Sequence, residues 1–376
     1  MPRRIRRAVA AVAFALLILS FGAVPTLVAQ TPPSLTSQQP PIQVSVEPAY
    51  QSVTDNDQTV SQWSTRMNVV VPVLRNLQFN LQTSAAGLSG DQVNALQGID
   101  DVNLGVMYAR ALPVGSIVAS ADVSLPTGKR ELTAGEWQTA VFASQNVYGF
   151  RVSGYGQGLN VEPRITWAVS ATDNIMLGIG ASYHYRGAYM PTTTLDGDYD
   201  PGDEIEIFGG GDVRMGEHNA VSADLSFTRF GTDTVDGTRQ YEARYKVAGT
   251  LRYLYQQDFS SVRVIGRLQH WPESRVYVAS LGVGAGPVFS DQQVVPSEWS
   301  LRATGSTRVV KWLALRGTLA GHRFNETAVQ DMTMVGTMRL HPTFHLPGDV
   351  YLTPSVGYSL GGITRFETSI RTEVRF

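Results

Sequence analysis

Residues 365–376 read RFETSIRTEVRF, and this stretch alternates between two kinds of side chain. Successive side chains of a β-strand point to opposite faces, so Phe366, Ile370, Val374 and Phe376 fall on one face. The other face carries charged residues, namely Arg365, Glu367, Arg371, Glu373 and Arg375. A strand with one apolar and one charged face that ends on a terminal Phe is typical of the wall of a lipid-embedded barrel.

The same period of two recurs along the chain and is clearest in residues 241–256. It predicts about 16 strands, within a range of 14–18, joined by alternating short and long connections. In outer-membrane barrels the short turns face the periplasm and the long loops face outside. We assign 85–98, 126–158, 188–203 and 231–239 to the long class, whereas 271–298 is either one long loop or an additional strand pair. The prediction is an all-β fold, a transmembrane antiparallel β-barrel over residues 42–376.

The first 29 residues predict export. Arg3, Arg4, Arg6 and Arg7 precede an apolar run at 8–19 and then small residues up to Ala29. This layout is typical of a cleaved secretory signal peptide. Residues 30–41, rich in Pro, Ser and Gln, predict a disordered lead-in. We therefore expect a bacterial outer-membrane location, contact with lipid and lipopolysaccharide, and delivery through the barrel-assembly machinery, which would read the C-terminal strand.

Composition narrows the function classes. The chain has no cysteine, which excludes disulfides and thiol chemistry. Removal of the predicted signal peptide changes the formal charge from −2 to −6, so nucleic acid is not an expected partner. The six histidines show no pairing with serine of the kind that outer-membrane phospholipases need, so we expect no enzyme and no cofactor. A soluble β-sandwich or β-helix is the alternative fold, but it rarely combines so many strands with a signal peptide and a terminal Phe.

The charged faces predict two different lumen walls. The candidate acidic wall consists of Glu47, Asp101, Asp122, Glu162 and Asp224. The candidate basic wall consists of Arg244, Lys246, Arg252, Arg263, Arg267, Arg316, Arg339 and Arg371. Opposed walls would set a transverse field across the pore and favour anions along the basic side. The alternative is that these charges pair across neighbouring strands and fill the interior.

Two external segments carry further candidates. The loop 126–158 is long enough to fold inward as a solute gate, and Trp137, Phe142 and Phe150 give it apolar material. The alternative is a loop that packs on itself outside the barrel. Asp196, Asp198 and Asp200 resemble the start of a calcium loop, but Pro201 and Ile207 stand where such a loop needs Gly and Glu. They form only a weak metal candidate.

One pair of segments resembles a known family. Residues 100–108 read DDVNLGVMY, and the next strand closes on LPTGK at 125–129. This pair resembles the outer-membrane β-barrel family associated with meta-pathway phenol degradation, which is distantly like the fatty-acid outer-membrane transporters. The resemblance implies a barrel that passes small molecules, often aromatic or apolar. We therefore predict a channel for passive passage of small solutes, with aromatic compounds or organic anions as candidates. The alternative is a closed structural or adhesive barrel without an open pore.

Overall fold

The structure is a computed structural model that describes residues 41–91, 93–129, 131–193, 197–278, 288–328 and 331–376. The predicted signal peptide, 1–29, and all but residue 41 of the predicted lead-in lie outside the described residues.

The described residues contain 22 strands and one helix, α1 (Ala134–Ser144). The strands are β1 (Gln43–Asp55), β2 (Gln58–Leu74), β3 (Leu77–Gly90), β4 (Val93–Ile99), β5 (Val102–Ala111), β6 (Ser116–Leu125), β7 (Asn160–Thr172), β8 (Ile175–Arg186), β9 (Tyr199–Asp200), β10 (Glu204–Met215), β11 (Asn219–Phe230), β12 (Thr232–Val235), β13 (Thr238–Glu242), β14 (Tyr245–Gln257), β15 (Ser260–His270), β16 (Ser274–Val278), β17 (Val288–Gln292), β18 (Glu298–Val310), β19 (Leu313–Phe324), β20 (Thr333–Leu346), β21 (Val350–Gly361) and β22 (Thr364–Arg375). No helix in the described part of the chain is long and apolar enough to cross a membrane.

Sixteen of these strands close into one antiparallel barrel within the described residues. Each wall strand pairs with the next one along the chain, and β22 pairs back onto β1 from Gln43↔Arg375 to Thr54↔Thr364. The predicted fold class and strand number are confirmed. β3 pairs with β5 along its first half and with β4 along its second half. β4 and β5 therefore share one position in the wall, interrupted at Asp100 and Asp101.

The alternation read from the sequence sorts the side chains between the two faces of this wall. Leu251, in the middle of β14, is 58% exposed on the outside, whereas Thr250 and Arg252 point to the lumen. The other wall strands follow the same rule, so large apolar side chains cover the exterior. No protein layer covers this exterior in the described structure. An apolar band around a closed barrel is the surface that hydrocarbon contacts.

The connections between strands also divide, as predicted, into short turns at one end of the barrel and long loops at the other. One end of the barrel carries only short turns, at 75–76, 112–115, 173–174, 216–218, 258–259, 311–312 and 347–349. The other end carries 126–159, 187–203, 231–244, 271–297 and 325–332 together with three tight hairpins. By the usual asymmetry of such barrels, the first end faces the periplasm and the second faces outside.

Residues 85–98 correct the prediction of a long loop. β3 continues to Gly90, the chain turns at 91–92, and β4 returns alongside it. The segment lacks strong alternation because its inward side chains, such as Ala86 and Leu88, are buried against protein. At 271–298 the additional strand pair exists, but it lies outside the wall. β16 and β17 form a hairpin that joins β13, β12 and β9 in a separate five-stranded sheet.

A charge added to the outside of the wall should cost much more than the same charge inside. Leu251→Arg places a guanidinium in hydrocarbon and should lower the free energy of unfolding by about 2–4 kcal/mol. The matched variant Thr250→Arg faces the lumen between Asp224 and Arg267 and should change it far less. Urea titration of both variants refolded in lipid vesicles measures the difference. Equal losses would contradict the assignment of the faces.

Candidate functional site

The segment between β6 and β7 folds into the outer mouth of the barrel. Its helix α1 begins at a capping box, in which Glu136 N donates to Thr133 Oγ1 at 3.3 Å and Thr133 N donates to Glu136 Oε2 at 3.0 Å. Lys129 Nζ lies 2.5 Å from Glu136 Oε1, and these contacts hold the pKa of Glu136 below its usual value. The helix start is therefore well defined. The Thr-x-x-Glu pattern at 133–136 was a sequence signal for this helix that the strand analysis missed.

An apolar cluster fixes this segment against the inside of the wall. The segment contributes Leu132, Ala143, Val147, Phe150, Val152 and Tyr155. The wall and the β21–β22 hairpin contribute Val53, Val60, Ala86, Leu88, Leu96, Phe324, Val335 and Ile363. We call these residues the mouth cluster. The segment 126–158 therefore folds inward and does not pack only on itself outside the barrel, whereas its role as a solute gate stays a prediction.

Two wall glutamines bind the backbone of the segment. Gln62, fully buried on β2, donates from Nε2 to Val152 O at 2.7 Å and accepts from Val152 N at 3.1 Å. Gln51 on β1 donates to Gly149 O at 3.2 Å and accepts from Arg151 N at 2.7 Å. A side-chain amide has both a donor and an acceptor, so it can pair with both groups of one extended backbone. The segment is thus attached to the wall as a further strand would be.

An ion network adds to this attachment. Arg151 lies 2.6 Å from Glu47 Oε1 and 3.2 Å from Glu367 Oε1. Glu367, only 5% exposed, also pairs with Arg339 at 2.8 Å. Arg365 donates to Tyr148 O at 3.0 Å. Arg151, Glu367 and Arg339 thus have partners of opposite charge, which is the condition for burying charge at an acceptable cost. Arg365 is instead held by backbone carbonyls.

Tyr148, in the inserted segment, stays neutral. Burial raises the pKa of Tyr148 to about 12, with a further contribution from the carboxylate of Asp55. Its hydroxyl therefore remains protonated and donates to Asp55 Oδ2 at 3.1 Å. This contact ties the segment to the end of β1.

The two segments that carry the family resemblance meet at the strand break. Asp101, 2% exposed, accepts from Gly128 N at 2.8 Å and from Gln157 N at 2.7 Å. Val102 N donates to Thr127 Oγ1 at 2.9 Å. A Cβ at Gly128 would lie 2.8 Å from Tyr155 O, so this position requires glycine. The motif therefore builds the base from which the segment enters the lumen.

Only some residues of the candidate acidic wall line the lumen. Asp101 holds backbone amides at the strand break and does not line the lumen surface, which differs from the prediction. Glu47 pairs with Arg151, Glu162 with Arg164 at 2.9 Å, and Asp224 with Arg252. Asp122 faces the lumen opposite Glu162 on β7.

The candidate basic wall divides in the same way. Arg339 pairs with Glu367 and Arg371 with Glu373 at 2.7 Å. Lys246 lies over the rings of Phe230 and Trp271, 5.9 and 5.5 Å from their centroids. Arg244 does not belong to the wall. It adopts a left-handed φ of 65° ahead of β14 and pairs with Asp291 at 2.6 Å among the outer loops.

Four arginines on one side of the lumen have no such partner. Arg263 and Arg267 on β15, Arg302 on β18 and Arg316 on β19 are exposed to the lumen. None of them makes an ion pair with any residue that the structure describes. Seven of the thirteen predicted wall charges therefore have an ion-pair partner in the described structure. The largest group of lumen arginines without one lies on β15, β18 and β19, and Arg66 on β2 and Arg214 on β10 lie elsewhere in the lumen.

The structure describes only part of the weak metal candidate. Asp196 lies outside the described residues, and Asp198 N donates to Asp236 Oδ1 at 3.2 Å. The described residues contain no group of three potential metal ligands, including around Asp198 and Asp200.

His322 Nδ1 lies 2.8 Å from Glu298 Oε1, and Ser300 is its neighbour across β18 and β19. The sequence analysis missed this His–Glu pair, but no hydrogen bond connects its imidazole to Ser300 within the described structure.

The closed wall, the apolar exterior and the charged lumen define a transmembrane β-barrel of the bacterial outer membrane. No family model matches the chain, and no curated protein is similar to it. Solved structures are similar at low identity. An outer membrane channel from Pseudomonas putida F1 is 10% identical with a TM-score of 0.42, over 92% of this chain and 99% of that one.

Two further structures are similar at the same level. The CymD monoaromatic hydrocarbon channel is 13% identical with a TM-score of 0.46, over 95% of each chain. OpdQ of Pseudomonas aeruginosa is 10% identical with a TM-score of 0.43, over 90% of this chain and 99% of that one. The name "monoaromatic hydrocarbon channel" describes CymD and assigns no solute to this chain.

Loss of one buried glutamine should loosen the segment in the mouth. Gln62→Leu leaves the N–H and C=O of Val152 without partners, at a cost of about 1–3 kcal/mol for each buried group. We expect faster proteolytic cleavage within 126–158 in the detergent-solubilised protein. Gln78→Leu, on the lumen face of β3 away from the segment, is the matched control. Equal cleavage rates in the two variants would show that Gln62 does not hold the segment.

Proposed function

We propose that this chain is an outer-membrane channel for the passive passage of small solutes, without a catalytic step or a cofactor. The observation that carries the proposal is the set of unpaired arginines, Arg263, Arg267, Arg302 and Arg316, on one side of a barrel lumen. Arginine stays protonated at any working pH, so these positions hold fixed positive charge. In a narrow pore with walls of low dielectric, such charge raises the local concentration of anions.

The segment 126–158 sets the width of the path in this proposal. It fills the part of the mouth that lies next to β1–β4 and β20–β22, where the mouth cluster is located. The arginines are carried by β15, β18 and β19, and the wall farthest from β1 is β11. Solutes would then pass between the inserted segment and this far wall. Organic anions are the favoured class, and the resemblance of 100–108 and 125–129 to the meta-pathway phenol family supports aromatic members of it.

A closed structural or adhesive barrel is the second candidate. The density of contacts around Arg151, Gln51 and Gln62 favours it, because a firmly attached segment could also block the mouth. The two proposals differ in whether ions cross the barrel at all.

The other partners follow from the surfaces. The apolar exterior would contact lipid and lipopolysaccharide. The alternating strand β22, which closes the barrel against β1, is the element through which we propose that the barrel-assembly machinery receives the chain.

Reversal of the unpaired charges should reduce anion preference. The double variant Arg263→Glu, Arg316→Glu should shift the reversal potential across a KCl gradient in planar bilayers toward cation selectivity. Arg75→Glu, in a periplasmic turn outside the lumen, makes a single charge reversal off the path and should leave the potential nearly unchanged. An unchanged potential in the double variant would remove these arginines from the permeation path.

A further inference from the structure

A recess of about 350 Å³ opens on the inside of the wall farthest from the inserted segment. Side chains of β7, β8, β10, β11, β14 and β15 line it. Its floor is low because Ala168, Gly178 and Gly210 stand next to one another across three strands. The cavity is larger than the roughly 150 Å³ that holds benzene in an apolar protein core. One ring with polar substituents fits this size.

An aromatic ring forms one border of the recess. The Phe208 ring occupies the space that a Cβ at Gly180 would need, so it lies flat along the wall. The Arg164 guanidinium lies 5.0 Å from the ring centroid and covers it from β7. Met176 borders the recess on β8. A planar apolar ligand would find contact surface here without any rearrangement of the wall.

Two groups of opposite charge face this surface. Asp224 Oδ2 accepts from Arg252, but Oδ1 leans over Gly210, where a Cβ would lie 2.5 Å from it. This Oδ1 has no donor among the described residues. Arg267 lies two strands away, with Thr250 between them, at a spacing of about 4.8 Å for each strand. Its guanidinium is likewise without a carboxylate partner within the described structure.

We propose that this recess binds a single-ring aromatic acid, with its ring beside Phe208, a hydroxyl or amino group donating to Asp224 Oδ1 and its carboxylate paired with Arg267. Arginine pairs with carboxylates through two parallel hydrogen bonds, which fixes the ligand's direction as well as its position. The inference rests on the proposed channel function, for which it supplies a solute class. Its test uses binding to the solubilised barrel, which does not require conduction.

Equilibrium dialysis of the detergent-solubilised full chain measures binding of 4-hydroxybenzoate, benzoate and methyl 4-hydroxybenzoate. Benzoate lacks the donor for Asp224, and the methyl ester lacks the charge for Arg267. Each should bind about tenfold more weakly than 4-hydroxybenzoate, because each loses one hydrogen-bonded contact. Equal affinity for the three compounds, or no measurable binding of any, would overturn the proposal.

Paired variants locate the site. Arg267→Gln should remove the preference for the acid over the ester, whereas Arg75→Gln, in the periplasmic turn 75–76 and outside the recess, should retain it. Gly178→Leu should abolish binding by filling the floor. A Cβ there would meet only Trp167 O at 3.7 Å and Ala168 Cβ at 4.0 Å, so the wall tolerates it. Ala320→Leu, on the lumen face of β19, adds a large side chain elsewhere in the lumen and should leave binding intact.

These outcomes separate the two proposals. A preference for the acid that survives Arg267→Gln would place the acid elsewhere in the lumen and overturn the recess, with the channel unaffected. Binding with the expected pattern in a protein that passes no current would support the recess and contradict the channel.

Discussion

The structure depends on one constraint, which is that hydrocarbon offers no hydrogen-bond partner to a peptide group. Every backbone donor and acceptor in the wall must therefore pair within the protein, and β22 meets this demand by pairing with β1. Closure also fixes which side of each strand faces lipid. The charged face of the strand at 365–376 then has to point into the barrel, where Arg365 and Glu367 are nearly fully buried. A charged interior is thus a consequence of closure, before any question of what passes through it.

The inserted segment solves the problem of its own backbone in a related way. Gln51 and Gln62 replace the neighbouring strand that the residues around Val152 lack. Arg151 can remain buried because Glu47 and Glu367 oppose it, and removal of one partner of such a pair typically costs 3–5 kcal/mol. The segment therefore belongs to the fixed structure of the lumen, and the free charge is left to the arginines on the other side.

A period of two in the sequence was sufficient for the fold, because it reports which face each side chain takes. It contains no information about which strands meet across the lumen. Arg151 and Glu367 are 216 positions apart, and nothing local marks them as partners. The pairing of most predicted wall charges, the anchoring role of Asp101 and the position of Arg244 outside the wall could not be predicted for this reason. The β3–β4 hairpin was missed because its inward face packs against protein, which removes the apolar and polar contrast that identifies wall strands.

The most direct test of the account is single-channel conductance in planar bilayers for two refolded chains, residues 30–376 and the same chain without Glu136–Tyr155. If the segment narrows an open path along the far wall, both chains should give discrete current steps, and those of the shortened chain should be larger. Silence from residues 30–376 with steps from the shortened chain would mean a closed barrel. Silence from both, with the barrel folded, would contradict the channel itself.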